Sequence, residues 1–448
     1  MLPMVEVPPT IREMMVPYRG IFCRDAGFEH VSRYISGLIL SPNKTLQGIY
    51  DIQIWDSNGY RPTRRAMHEA VFENGWDSDN LMGWHRTVIS KDHQGKGREV
   101  ISLDWTFGHH ERGPCIYGTK KGYDYVDDRY CLHQTILTAV ISNREIIDGI
   151  EVAVQLPGFE KQEKLYLNST VKENYEEPEE VRTRILELLH YRKNRLEYRK
   201  HSKMFVEIVE QVENEGHFPT AHYAFDNGVL NIELTQCIES RGKHWVSELE
   251  KSRKIMWKGK WLRVENVDET LKKEHPESFR NCCAVCRNGE KKEYYVFTKV
   301  VRLKKYGKKR LVIVHESEDL SDPPRFLITD AKHWESVKIL EVWSHRWSSE
   351  IFHEFGKQRV GLESAQVHNE ESVKRHLRLS CVSQSFLQRT FADVSKSEKF
   401  EFAEGKATVG QRCRTIARES FTSMLTLVKR LFEEGKTVSW VTDMLMPV

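Results

Sequence analysis

Apolar residues recur at three- and four-residue intervals through HVSRYISGLIL and TRRAMHEAVFENGWDSDNLMGWHRTVI, the pattern of helices with one buried face. SPNKT and DSNGYRP supply turn residues beside them. Residues 1–92 therefore predict a helical N-terminal domain with a helix-turn-helix-like pair, and the polar loop SKDHQGKGRE closes it. From EVISLDWTF onward the chain reads as strands, with CLHQTILTAVIS and IIDGIEVAVQL next. A charged stretch from about Pro178 to Glu215 predicts a long helix, and TAHYAFDNGVLNIELTQCIESRGKHWVSEL predicts strand, turn, helix, strand. That order suits a mixed α/β sheet rather than a doubly wound parallel one. The core spans 93–255 and resumes over 329–395. Residues 256–328 form a basic, β-rich insertion, and 396–448 a C-terminal helical tail.

One segment concentrates charge. WSHRWSSEIFHEFGKQ, residues 343–358, has no proline and its glycine is near the end, so it predicts a single helix. At about 100° per residue, Trp343, Arg346, Glu350 and Lys357 share one stripe. Trp347, Ile351 and Phe355 make a neighbouring apolar stripe, expected to face the core. Two cations around one carboxylate fit a solvated ion pair worth a few tenths of a kcal/mol.

Composition narrows the field. The chain has 448 residues, 39% hydrophobic and 30% charged, with a net charge of +3, enough for two or three domains. No apolar run approaches the roughly 20 residues a membrane helix needs, and MLPMVEVPPTIREMM lacks the form of a signal peptide. Nine cysteines in such a chain suggest reduced thiols and a cytoplasmic location. Near-neutral charge means any nucleic-acid footprint is local. EKSRKIMWKGKWLR (250–263) and KVVRLKKYGKKR (299–310) offer one, basic and interleaved with aromatics; a lysine-protected sheet edge explains them equally well. Trp257 and Trp261 are the candidate stacking platform.

Three carboxylates have comparable settings: Asp104 and Asp226 at strand ends, Glu350 on the helix after the insertion. Hard oxygen ligands converging from separate elements suit a pair of divalent cations acting on a phosphodiester. The spacing W343-x2-R346-x3-E350-x6-K357 resembles the Tyr-x2-Arg-x3-Glu-x6-Lys signature of bacterial insertion-sequence DDE transposases that cut and paste through hairpin ends. VGLESAQV, RFLITD, LDWTF and AFDNGVLNIELTQCIESRGKHWVSELEKSR are similar to the regions around that family's signature, first acid and second acid, so the likeness spans about residues 95–370.

The resemblance implies a ribonuclease H-like sheet interrupted by an all-β insertion between the second Asp and the Glu, here separated by 124 residues (350 − 226). It implies that Asp104, Asp226 and Glu350 hold two Mg²⁺ ions, with Mn²⁺ as a substitute. It implies that Arg346 and Lys357 contact phosphates of double-stranded DNA, and that Trp343, where the family has Tyr, helps hold the distorted element end. It further implies a DNA-binding N-terminal domain, a homodimer bridging two ends, and a bacterial, nucleoid-associated protein. A DNA-binding protein that has lost the chemistry and a nuclease without strand transfer are the alternatives. A targeting partner could dock on KRHLRLSCVSQSFLQRTF or the C-terminal tail (409–448).

Other residues could carry chemistry. Cys282, Cys283 and Cys286 in CCAVC supply one CxxC where a structural zinc needs four ligands. His109, His110 and Glu111 follow Asp104 as a polar rim loop. Asp128, beside Asp127, is the fallback for Asp104. GKGRE lacks P-loop spacing.

Overall fold

The computed structural model describes residues 3–54, 62–110, 113, 115–125, 127–156, 179–180, 200–392 and 407–446. Most of the charged stretch before residue 200, with Glu111 and part of the C-terminal tail, lies outside them. No described helix is long and apolar enough to cross a membrane.

The N-terminal helices are α1 (Pro9–Met15), α2 (Asp25–Leu40), α3 (Leu46–Asp51), α4 (Arg64–His68) and α5 (Ser78–His93). Three of their starts carry side-chain caps: Thr45, Thr63 and Asp77 accept from the backbones of Gly48, Ala66 and Asp79, each satisfying one of the first-turn N–H groups.

The sheet follows: β1 (Val100–His109), β2 (Thr119–Asp124), β3 (Arg129–Ser142) and β4 (Ile147–Gln155), then α6 (His201–Glu215), β5 (His222–Phe225), α7 (Ile232–Ser240) and β6 (Trp245–Glu248). Next come β7 (Lys254–Trp257), β8 (Lys260–Arg263), α8 (Val264–Glu274), β9 (Arg280–Val285), β10 (Lys291–Leu303), β11 (Gly307–His315) and β12 (Arg325–Thr329). The twelve strands among the described residues join one mixed sheet, ordered β2-β3-β1-β5-β6-β12-β11-β10-β7-β8, with β4 also on β3 and β9 on β10. β1 is antiparallel to β3 and parallel to β5, which is parallel to β6. Residues 256–328 were expected to be all β. They carry α8 as well, and their strands extend the core sheet through β12, which pairs with both β6 and β11.

Alternation builds two cores from one sheet. Ile101, Leu103, Leu137 and Ile141 face α6 and α7, beside Phe205, Val209, Leu234 and Ile238. The other face is covered by α9 (Ser336–Ser344), α10 (Trp347–Val360) and α11 (Glu370–Arg389). There Val100, Ala224 and Val246 meet Ile339 and Trp343, while Ile136, Val140 and Val152 meet Phe352, Leu377 and Cys381.

The N-terminal helices share a core with α11 and with α12 (Val409–Glu433), which leads to α13 (Val438–Leu445): Ile11, Tyr34, Ile35 and Phe72 pack with Leu379, Phe386 and Ile416. Tyr34 Oη lies 2.7 Å from His376 Nδ1, and Arg378 donates to Ser78 Oγ at 2.8 Å. α2 is buried along nearly its whole length, so it has no free face to lay in a DNA groove. α11 is likewise buried from Ser372 to Leu387. KRHLRLSCVSQSFLQRTF is therefore largely an interior helix, with Phe391 exposed at its end. Its apolar side chains each contribute about 1.5–3 kcal/mol by leaving water.

Candidate functional site

Register sets the two aspartates side by side. Leu103 of β1 pairs with Phe225 of the parallel β5, so the next residues, Asp104 and Asp226, are neighbours where the ladder opens, on strands about 4.8 Å apart. Phe225 also pairs with Ser247 of β6, which brings Glu248 level with Asp226. Asp226 and Glu248 thus lie at the carboxyl ends of β5 and β6, level with Asp104, which was expected at a strand end and instead sits midway along the longer β1.

Small polar contacts seat α10 over this row. Ser349 Oγ lies 2.6 Å from Ser102 Oγ, and His353 Nε2 lies 2.8 Å from Thr138 Oγ1; Thr138 is the β3 partner of Asp104. Burial pushes His353 down to about 3, so the ring packs as a neutral group. Serines let the helix approach closely, and Glu350, one residue after Ser349, reaches Asp104's surroundings. Burial, then the charge of Asp226 and also that of Glu350, pushes the Asp104 carboxyl up to about 7, against the pull of Arg346. The three acids are close enough to repel one another.

Arg346 answers part of that repulsion. It donates to Glu350 and lies 4.0 Å from Asp104 Oδ2. Asp226 accepts from the Val229 N–H at 3.0 Å, an Asx-type turn of DNGV. Lys357 Nζ donates to the Phe107 carbonyl at 2.6 Å and lies 3.8 Å from Glu363, so it stands farther along β1 than the acids. Glu248 is pushed up by burial and the Asp226 charge and pulled down by Arg325 and Arg346. It is a fourth carboxylate that the sequence reading missed. The signal was present: SELEKSR follows the third strand of a parallel set, where ligand-facing groups collect.

The structure separates other expected members. Residues 343–358 are two helices, α9 and α10, joined by three-residue turns: Arg346 N–H to Trp343 O at 2.9 Å, Ser348 to His345 at 3.0 Å and Ser349 to Arg346 at 3.1 Å. This tight turn shifts every face after it. Trp343 is only 8% exposed and packs in the core with Val100, Val246 and Leu340. Trp347, expected in the core, is 57% exposed. Trp347, Ile351 and Phe355 do not form the buried stripe; Ser348, Ser349, Phe352, His353, Gly356 and Val360 do. Arg346 lies over both indoles, 5.4 Å from the Trp343 ring and 5.7 Å from that of Trp347.

Trp257 is buried at 6% exposure, with Lys299 Nζ 4.5 Å above its ring, so it packs the sheet rather than stacking on a ligand. Trp261, cross-strand from Met256 on β7, which is itself opposite Arg302, is 41% exposed. Lys254, Lys258, Lys260, Arg263, Lys304 and Lys305 are exposed around it. Asp127 and Asp128 sit in the β2–β3 turn, some ten residues along β3 from Thr138, roughly 30 Å at about 3.3 Å per residue. Asp128 is thereby removed as a substitute for Asp104. The CCAVC cysteines gather no further ligands among the described residues: the metal-ligand cluster there is His109, Asp124 and Cys131. All nine cysteines are free thiols.

No protein-family model matches the chain, and none of the curated proteins matches it.

Proposed function

We propose that the protein is a DDE transposase acting on the ends of its own mobile element. The observation that carries this reading is the convergence of Asp104, Asp226 and Glu350, from two adjacent parallel strands and the helix packed over them, with Arg346 among them. The strand order β4-β3-β1-β5-β6, antiparallel then parallel, supports a ribonuclease H-like core extended through β12.

The site fits divalent cations. It offers only hard oxygen ligands near the sheet's open end, and burial, with the charges of Asp226 and Glu350 added, pushes the Asp104 carboxyl up to about 7 against the pull of Arg346. Further positive charge at the site would offset that push. Asp104, Asp226 and Glu350 would hold two Mg²⁺ ions, which when bound activate a water or a 3′-hydroxyl and stabilise the departing oxygen. Arg346 holds Glu350 and presents its remaining donors to a phosphate. Lys357 meets the strand beyond the scissile bond. Trp347, beside Arg346 and open to solvent, takes the stacking role that the signature assigns to its first aromatic. The basic edge around Trp261 tracks the DNA backbone. The family resemblance adds hairpin ends, strand transfer and a homodimer bridging two ends.

The test is linear DNA carrying the element ends, incubated with protein and Mg²⁺ and run on a denaturing gel beside Glu350→Gln. Cleavage at the end by the wild type alone is expected. Equal cleavage by both proteins rejects Glu350 as a ligand. Binding without cleavage by either favours the DNA-binding alternative, and cleavage without joining to a second duplex favours the nuclease.

A further inference from the structure

We propose that His109, Asp124 and Cys131 form a zinc site, distinct from the carboxylate site, that fastens the β2–β3 hairpin to the end of β1. The three residues come from three adjacent strands: His109 ends β1, Asp124 ends β2 and Cys131 lies near the start of β3. Their ligand atoms lie within 4.8 Å of one another. Tetrahedral zinc, with Zn–N of about 2.0–2.1 Å and Zn–S of about 2.3 Å, spaces its ligand atoms roughly 3.3–3.6 Å apart. Side-chain adjustments of about 1 Å, closing the widest pair and opening the 2.6 Å His109–Asp124 contact, reach that spacing.

The surroundings also point to a metal. His109 Nε2 faces the cluster, 2.6 Å from Asp124 Oδ2, while its other nitrogen, Nδ1, lies 3.8 Å from the Glu363 carboxylate. That separation is beyond a direct hydrogen bond, and zinc binding through Nε2 would draw the two groups toward the carboxylate–histidine contact of most histidine–metal sites. Asp124 is 1% exposed and paired in the metal-free protein with His109 and with the Asp127 N–H at 3.3 Å; zinc would replace the His109 proton between the two. Asp127 Oδ2, 4.0 Å from His109 Nε2, or a water can take the fourth position.

Donor chemistry selects the ion. One imidazole, one thiolate and one carboxylate suit zinc and exclude Mg²⁺ and Ca²⁺, which demand oxygen shells. Cys131 Sγ lies 3.5 Å from His133 Nδ1; binding releases the thiol proton to solvent and leaves a thiolate on the metal. His109 stands five residues beyond Asp104 on β1, about 17 Å at ~3.4 Å per residue, so the two sites are occupied separately. Glu363 lies against both His109 and Lys357, so zinc would also steady the far end of the charged stripe.

The test uses the full-length protein, stripped with chelator, reloaded with Zn²⁺ and passed through a desalting column before metal is counted. Wild type and Cys283→Ala are expected to keep one zinc per chain more than Cys131→Ala and His109→Gln. Loading with Co²⁺ should give a thiolate-to-cobalt absorption band that Cys131→Ala loses and Cys283→Ala keeps. If Cys131→Ala misfolds by circular dichroism, Cys131→Asp keeps a ligand and should bind the metal while losing the band. Equal zinc in wild type, His109→Gln and the Cys131 variants overturns the proposal. So does a band that disappears with Cys283 instead, or a wild type that retains no zinc.

Discussion

Two arginines in this protein sit between carboxylates, with opposite results. Arg389 grips Asp148 with two hydrogen bonds of 2.8 and 2.9 Å and Asp92 with a third of 2.6 Å, while His93 reaches Asp148 at 2.8 Å. Asp148 is completely buried. Burial alone would raise its carboxyl, but the Arg389 charge and the hydrogen bonds of His93 and Arg389 hold it well below the usual range. Arg346 faces Asp104, itself half-buried, at 4.0 Å and spends its bond on Glu350. There the carboxyl moves the other way, up to about 7. The first cluster is saturated and serves the fold; the second sets several acids around one arginine.

The sharpest way to break this contrast is Arg389→Ala. It strands a buried carboxylate beside a lone histidine, and urea unfolding should show a loss of about 3–5 kcal/mol. A loss under about 1 kcal/mol would mean that Asp148 is not held by this arginine.

Asp104→Asn probes the other cluster. In metal-free protein the native state keeps the Asp104 proton up to about pH 7, whereas the unfolded chain releases it near 3.8. The native state therefore binds more protons across that window, and stability falls as pH rises through it, by a few kcal/mol at most. The Asn variant should lose this slope. An unchanged slope would place the repulsion elsewhere. Mg²⁺ should flatten the wild-type slope and leave the variant as it was.

Trp347→Ala should weaken binding to element ends by about 1–3 kcal/mol, read by fluorescence anisotropy, with stability nearly unchanged because the indole is exposed. If Trp343→Ala weakens end binding as much in a protein that is still folded, the assignment of the exposed indole is wrong. The smallest effect is on stability in Arg346→Met: within about 1 kcal/mol, since its Glu350 partner is partly open to water. A loss comparable to that of Arg389→Ala would erase the distinction between the clusters.

Most strand positions were legible because each is bounded by turn residues, although β2 was not read; Asp226 and Glu350 were legible from a strand end and a helical spacing, whereas Asp104, read as a strand end, lies midway along β1. The break at His345–Arg346 was not, since nothing in WSHRWS forbids a continuous helix: both residues hold helical backbone angles, and only packing against the sheet selects the tighter bonds. That one turn misassigned both tryptophans. Glu248 was missed because its significance lies in its alignment across β5, which no local pattern encodes. The N-terminal helices were read as a domain apart because their apolar faces look alike whether they pack on one another or on residues hundreds of positions later.

That last arrangement has a consequence for the chain as it is made. Thr10 N–H donates to Glu419 at 3.1 Å across 409 residues of sequence. At about 5–20 residues per second, a ribosome takes roughly 20–80 s to span that interval. Through it the first helix waits with one side uncovered, open to chaperones. A transcript cut short before Val409 yields a protein that never finishes its own beginning.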